Sequence, residues 1–112
     1  MGTAGRVIKS VFTILSGATI SNTLIAWQTY GSSAGIIIQS PAGLAEVVGI
    51  QVSYDSGTTW AAYQENGSDI TTPVAAKAAP YDRLVLAPAV RLVSTAAVGA
   101  DRIFGVTYQG LY

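Results

Sequence analysis

The stretch from Gln51 to Tyr63 constrains this chain more than any other. Val52 and Tyr54 alternate with Gln51 and Ser53, the period of a half-buried strand. Asp55-Ser56-Gly57 then supplies turn chemistry: a carboxylate that accepts from nearby backbone N–H groups, and a glycine free to take positive φ. Thr58-Thr59-Trp60 is rich in β-branched and aromatic side chains, which predicts that a strand restarts there. The expectation is a tight hairpin with Trp60 folded back onto the sheet, fixing a register from which the other strands are read.

Around that hairpin the chain breaks into short extended runs. Residues Met1 to Gly5 are small and suit a terminal arm, with 1–16 as its outer bounds, while Arg6 to Ile14 reads as a strand. Ala18 to Trp27 carries too much Ser, Thr and Asn for a helix, and Ile20, Leu24 and Trp27 are its expected core residues. Tyr30 to Ser33 reads as a loop. The continuous Ile36-Ile37-Ile38 suits a strand covered on both faces. Asn66-Gly67 marks a turn, and Asp69 to Val74 is a weak strand that Pro73 places at an edge. Ala75 to Ala79 has the composition of one helical turn stopped by Pro80. Arg83 to Leu86, Val90 to Thr95 and Asp101 to Gln109 complete the strands. In the last of these, Phe104, Val106 and Tyr108 alternate with Ile103, Gly105 and Thr107. About eight strands separated by turns every ~8–12 residues make an all-β, jelly-roll-like β-sandwich in a single domain, 1–112.

Composition narrows what such a domain does. Half of the 112 residues are apolar and 11% are charged, against roughly 25% in ordinary soluble domains. A sparsely charged surface suits a subunit whose exterior is covered by neighbours. Six basic and six acidic side chains cancel, so no basic stripe argues for nucleic acid. No run of ~18 apolar residues argues for a membrane span, and the short run after Arg6 and Lys9 lacks the cleavage site of a signal peptide. The absence of histidine and cysteine removes the commonest general base and the commonest metal ligands. No cofactor, metal or catalytic residue is assigned, and an enzyme is not expected.

Ser53, Asp55, Gly57, Thr59 and Trp60 fall on the pattern S-x-D-x-G-x-T-W, and the stretch resembles the Asp-box hairpins of sialidase-type propeller blades. That pattern describes a turn and not an active site, and a propeller needs several copies where this chain has one. The acids Asp55, Glu65 and Asp69 sit in or near loops and are candidate calcium ligands, but no dense acidic spacing supports them beyond solvated turn residues. Asn66-Gly67-Ser68 matches a glycosylation acceptor in form, with nothing else to mark a secreted chain. Arg91 and Arg102 lie in strands among apolar residues, where an arginine is paired or interfacial, and Asp82 and Asp101 are candidate partners. Tyr112 joins them as a candidate interface residue. The eight Trp and Tyr side chains suit packing better than sugar stacking.

From Ile36 to Tyr108 the order of features resembles small virion proteins of tailed bacteriophages. The features are Gly-Ile-Ile-Ile, the Pro41-Ala42-Gly43 loop, the hairpin from Ile50 to Trp60, Ala87-Pro88, Val90 to Ser94, and Arg102, Phe104 and Val106. The resemblance implies a capsid decoration (cement) protein on the outer surface of the virion. Such a protein is a homotrimer or homodimer that bridges and stabilises subunits of the major capsid protein. Two alternatives stay open: a carbohydrate-binding or adhesion module of a phage tail or fibre, and a head–tail or tail connector.

Overall fold

The computed structural model describes residues 6–24, 33–81, 83–84 and 87–110. Among them are nine strands, all paired antiparallel, and no α-helix. They are β1 (Arg6–Ile14), β2 (Ser33–Gln39), β3 (Val48–Ser53), β4 (Ala61–Ala62), β5 (Gln64–Glu65), β6 (Ser68–Asp69), β7 (Ala78–Pro80), β8 (Ala89–Ser94) and β9 (Arg102–Gly110). One sheet has the order β1-β9-β2-β7, a second has β4-β3-β8, and β5-β6 is a hairpin of its own.

The connectivity is that of a jelly roll. Residues 20–24 extend the second sheet beyond β8, through bridges Ile20↔Val93 and Leu24↔Val90. With that segment counted as the second piece of eight, and the β5–β6 hairpin set aside, one sheet runs 1-8-3-6 and the other 2-7-4-5. The β5–β6 hairpin is an excursion from the edge of β3. Ala61 and Ala62 pair with Val52 and Gln51, the chain loops out, and Ile70 to Thr72 rejoin β3 at Ile50 to Val48. The Ile70 N–H donates to the Tyr63 carbonyl at 2.9 Å and closes the base of the excursion. At its tip Asn66 and Gly67 both have positive φ, 54° and 81°, the geometry that makes Asn-Gly a hairpin turn.

The core lies between the two sheets. Phe12 and Ile14 of β1, Ile36 and Ile38 of β2, and Phe104, Val106 and Tyr108 of β9 face Val48 and Ile50 of β3 and Val90 and Leu92 of β8. Phe12 and Phe104 are cross-strand partners and neither reaches solvent. The alternation expected in β9 and the opposite facing of Leu92 from Arg91 and Val93 both hold.

Several expectations are corrected. Ile37 is 49% exposed, because no described residue covers the outer face of its sheet; of the three isoleucines only Ile36 and Ile38 reach the core. Ile20 is exposed, whereas Leu24 packs on the core. Arg83 and Leu84 form a single 3₁₀ turn and not a strand, with the Leu84 N–H donating to the Tyr81 carbonyl. Ala78–Pro80 is strand β7, held to β2, in place of the end of a helical turn; Ala76 precedes it with φ 64°. The segments 1–5 and 25–32, with Trp27 and Tyr30, and the residues Asp82, Val85, Leu86 and Tyr112 lie outside the described residues; Arg6–Ile14 of the expected arm is paired along its length with β9.

Each rim of the four-stranded sheet is blocked in part, by a side chain on one and a proline ring on the other. On β1 the Asn22 amide reaches the free edge, where its Oδ1 accepts from the Thr13 N–H at 2.7 Å and its Nδ2 donates to the Val11 carbonyl. On β7 the Tyr81 N–H donates inward to Ile36, which turns the nitrogen of Pro80 outward, where it has no proton to offer.

Candidate functional site

The hairpin after β3 is built around Ser53 and Asp55. Ser53 is 2% exposed although it points to the outer face of its sheet, because the loop that follows folds over it. Its hydroxyl donates to Asp55 Oδ1 at 2.6 Å and accepts from the Gly57 N–H at 2.8 Å and the Asp55 N–H at 3.3 Å. Asp55 Oδ1 also accepts from the Thr59 N–H at 2.7 Å. These bonds hold the Asp55 carboxyl down to about 2, the Ser53 hydroxyl first and the Thr59 N–H next. Ser56 at φ 58° and Gly57 at φ 104° turn the chain within that cage.

The turn is therefore longer than expected. Ser53 ends β3, residues 54–60 form a capped loop, and the strand resumes only at Ala61, since the Asp55 caps draw Thr59 away from the ladder. Trp60 does fold back onto the sheet. Its ring lies 4.3 Å from Cζ of Arg91, whose Nε donates to Oε1 of Gln51, its cross-strand partner, at 2.8 Å. All five motif residues thus belong to one rigid corner, and Arg91 is engaged within the chain.

Arg102 is held elsewhere, by Glu46. Its Nε and Nη2 meet the two carboxylate oxygens at 3.0 and 3.3 Å, and this contact lowers the pKa of Glu46. The expected partner Asp101 instead accepts from the Ser16 N–H at 2.8 Å. Gly43 lies against this pair, where a Cβ would stand 3.3 Å from Arg102 Nη1. The three loop acids do not converge. Asp55 is spent in its turn, Glu65 accepts from the Tyr63 hydroxyl, and Asp69 accepts from the Gln64 amide. Among the described residues no group of three acids is placed to hold a metal ion.

Two surfaces remain as candidates for contact. The first is the outer face of the four-stranded sheet. Val11, Ile37 and Ile103 stand exposed on it, with Thr13 and Thr107 between them, and Lys9 is the one charged side chain among its described outward positions. A hollow of about 450 Å³ between Val11, Leu15 and Ile20 continues it past the β1 rim. No sequence signal marks this face, because an apolar run reads the same whether one face or both are covered.

The second is a groove of about 380 Å³ at the end of the sandwich beside the Ser53 corner, lined by Val52, Tyr54, Tyr63, Arg83, Ala87 and Pro88 among others. Tyr54 is 80% exposed at its mouth. Burial first, and then the bond to Glu65, push the Tyr63 hydroxyl up to about 12. Tyr81 anchors the adjoining turn from below, its hydroxyl donating to the Thr71 carbonyl at 2.8 Å; burial raises its pKa, and the nearby Glu65 adds to that.

No family model matches this chain. No curated protein sequence matches it. Among solved structures it is similar to the crystal structure of a Yersinia pseudotuberculosis-derived mitogen, with 7% identity over 95% of this chain and 86% of the other and a TM-score of 0.45. At that level of likeness nothing of the mitogen's activity carries over.

Proposed function

We propose that this chain is a non-enzymatic virion structural protein, a capsid decoration protein that sits on the outside of a tailed-phage head. It bridges subunits of the major capsid protein and associates with copies of itself. The observation that supports the reading best is the outer face of β1-β9-β2, where Val11, Ile37 and Ile103 lie in water with Lys9 as the one charge among the described positions. An apolar face of that kind on a chain with only twelve charged side chains suits burial against neighbours. The mechanism is area: modest contacts, repeated by the symmetry of the shell, give avidity without one strong site. A rigid jelly roll with caged turns suits a bridge that must not deform.

The test is sedimentation. The wild-type chain is expected to run as a dimer or trimer and to pellet with shells of the major capsid protein encoded in the same genome. Val11→Glu with Ile37→Glu places two charges on the face and is expected to release monomers and abolish pelleting, with far-UV circular dichroism unchanged. A wild-type monomer that leaves shells alone would refute the reading. The second reading, a carbohydrate-binding adhesion module, is favoured by the exposure of Tyr54; it calls for hits on a glycan array that Tyr54→Ala removes.

A further inference from the structure

We infer that the groove beside the Ser53 corner receives a peptide segment of the protein partner, one that carries an apolar side chain next to a carboxylate; this rests on the decoration reading above. The argument begins with charge. Arg83 is the one charged side chain among the described residues lining a mostly apolar groove, where Ser53 and Gln64 are the other polar members, and it has no ion pair among the described residues. Among the described residues no carboxylate lines that groove; Glu65 lies behind Tyr63 and accepts from its hydroxyl at 2.8 Å. A guanidinium at the rim of an apolar hollow selects an anion attached to an apolar body.

Shape and composition carry it further. A volume of about 380 Å³ takes one large side chain and its flanking backbone. Val52, Ala87 and Pro88 supply the apolar floor, and Tyr54 stands free at the mouth. Tyrosine and arginine around an apolar hollow are the residue types that carry most of the energy at protein interfaces. A sugar, which presents hydroxyls on most sides, would leave them unpaired against that floor.

The parts are also held in place. Tyr63 is fixed at both backbone groups, its N–H donating to Ile50 and its carbonyl accepting from Ile70. Arg83 rides on the 3₁₀ turn that begins at Tyr81, a side chain anchored to Thr71. Tyr54 follows directly on Ser53, the buried centre of the caged corner. A groove formed before its occupant arrives loses little ordering entropy on binding.

The experiment is an amide chemical-shift titration of the full chain with two blocked dipeptides, acetyl-Leu-Glu-amide and acetyl-Leu-Gln-amide, and with glucuronic acid. Saturable shifts are expected at Val52, Tyr54, Tyr63, Gln64 and Arg83, with the Glu peptide bound about three- to five-fold tighter than the Gln peptide at low salt. Arg83→Gln is expected to erase that difference, and Tyr54→Ala to weaken both peptides alike. Equal binding of the two peptides by wild type, or shifts that never saturate, would overturn the inference. So would glucuronic acid binding there more tightly than the Glu peptide. Shell pelleting separates this from the function itself: if Arg83→Gln and Tyr54→Ala chains pellet as wild type does, the groove is refuted and the decoration role stands.

Discussion

Ser53→Ala is the substitution that tests how the hairpin corner is held. The hydroxyl it removes is buried, accepts from two backbone N–H groups and donates to Asp55. The 2.8 Å bond from Gly57 is worth ~1 kcal/mol net, and the orphaned N–H left under the loop adds ~1 kcal/mol or more. The longer bond from Asp55 contributes less. The bond to the carboxylate adds little, because that group lies within reach of water. The expected loss is about 2–3 kcal/mol. At ~4 °C per kcal/mol for a domain of this size, the melting temperature falls by roughly 8–12 °C. Thermal unfolding followed by Trp60 and Trp27 fluorescence reads the shift, and urea unfolding should show an unchanged slope with a lower midpoint. A fall of less than about 3 °C would mean that water replaces the hydroxyl freely, and that the cage is a decoration of the loop and not its support.

The same corner sets a pH dependence. Asp55 is held at about 2 against an ordinary value of 3.8, so it binds its proton more weakly folded than unfolded. Its contribution is complete above pH ~4 and is lost as pH falls through ~2. Glu46, lowered by Arg102, acts in the same direction. Asp55→Asn keeps an oxygen for the Thr59 N–H but cannot titrate, so its stability should fall less steeply between pH 4 and 2 than that of wild type. A parallel acid limb would contradict the assignment.

Three further substitutions probe the rest of the molecule. Phe104→Ala opens a cavity opposite Phe12 and should cost about 3–5 kcal/mol by urea unfolding, the largest single effect expected here. Thr72→Val replaces a buried hydroxyl that has no hydrogen-bond partner among the described residues, and should leave stability unchanged or raise it by up to ~1 kcal/mol. Gly57→Ala has room, with Trp60 Cζ2 at 3.6 Å from the added carbon, yet must hold φ near 104°, so a loss of about 1–3 kcal/mol should appear in its melting curve without any change in far-UV dichroism.

What could be read from the sequence follows from how local each signal is. Asn66-Gly67 demands positive φ at both positions, and the turn is there. Phe104, Val106 and Tyr108 declare a buried face by alternation alone. Ser53, Asp55, Gly57 and Trp60 act within eight residues of one another, so their pattern survives as sequence. The failures are non-local. Arg102 finds Glu46 across 56 positions, and nothing near either residue announces it. Ala78–Pro80 has poor β-formers and becomes a strand only because β2 offers an edge. Ile37 reads as core because apolar character does not say which face will be covered. Thr58 to Trp60 has strand composition, but the Asp55 caps override it. Both candidate surfaces are products of the tertiary arrangement: the groove gathers Val52, Tyr63, Arg83 and Pro88 from four separate pieces of chain.

The partly blocked rims of the four-stranded sheet have a geometric consequence. With an amide side chain occupying one border at Val11 and Thr13 and an imino acid at the other, backbone pairing with another molecule is hindered at those positions. Stacking broadside stays open, and a broadside pair related by a twofold axis closes on itself. Edge-to-edge growth, the hazard of an exposed sheet border, is hindered at those positions, whereas a broadside pair would end with two members.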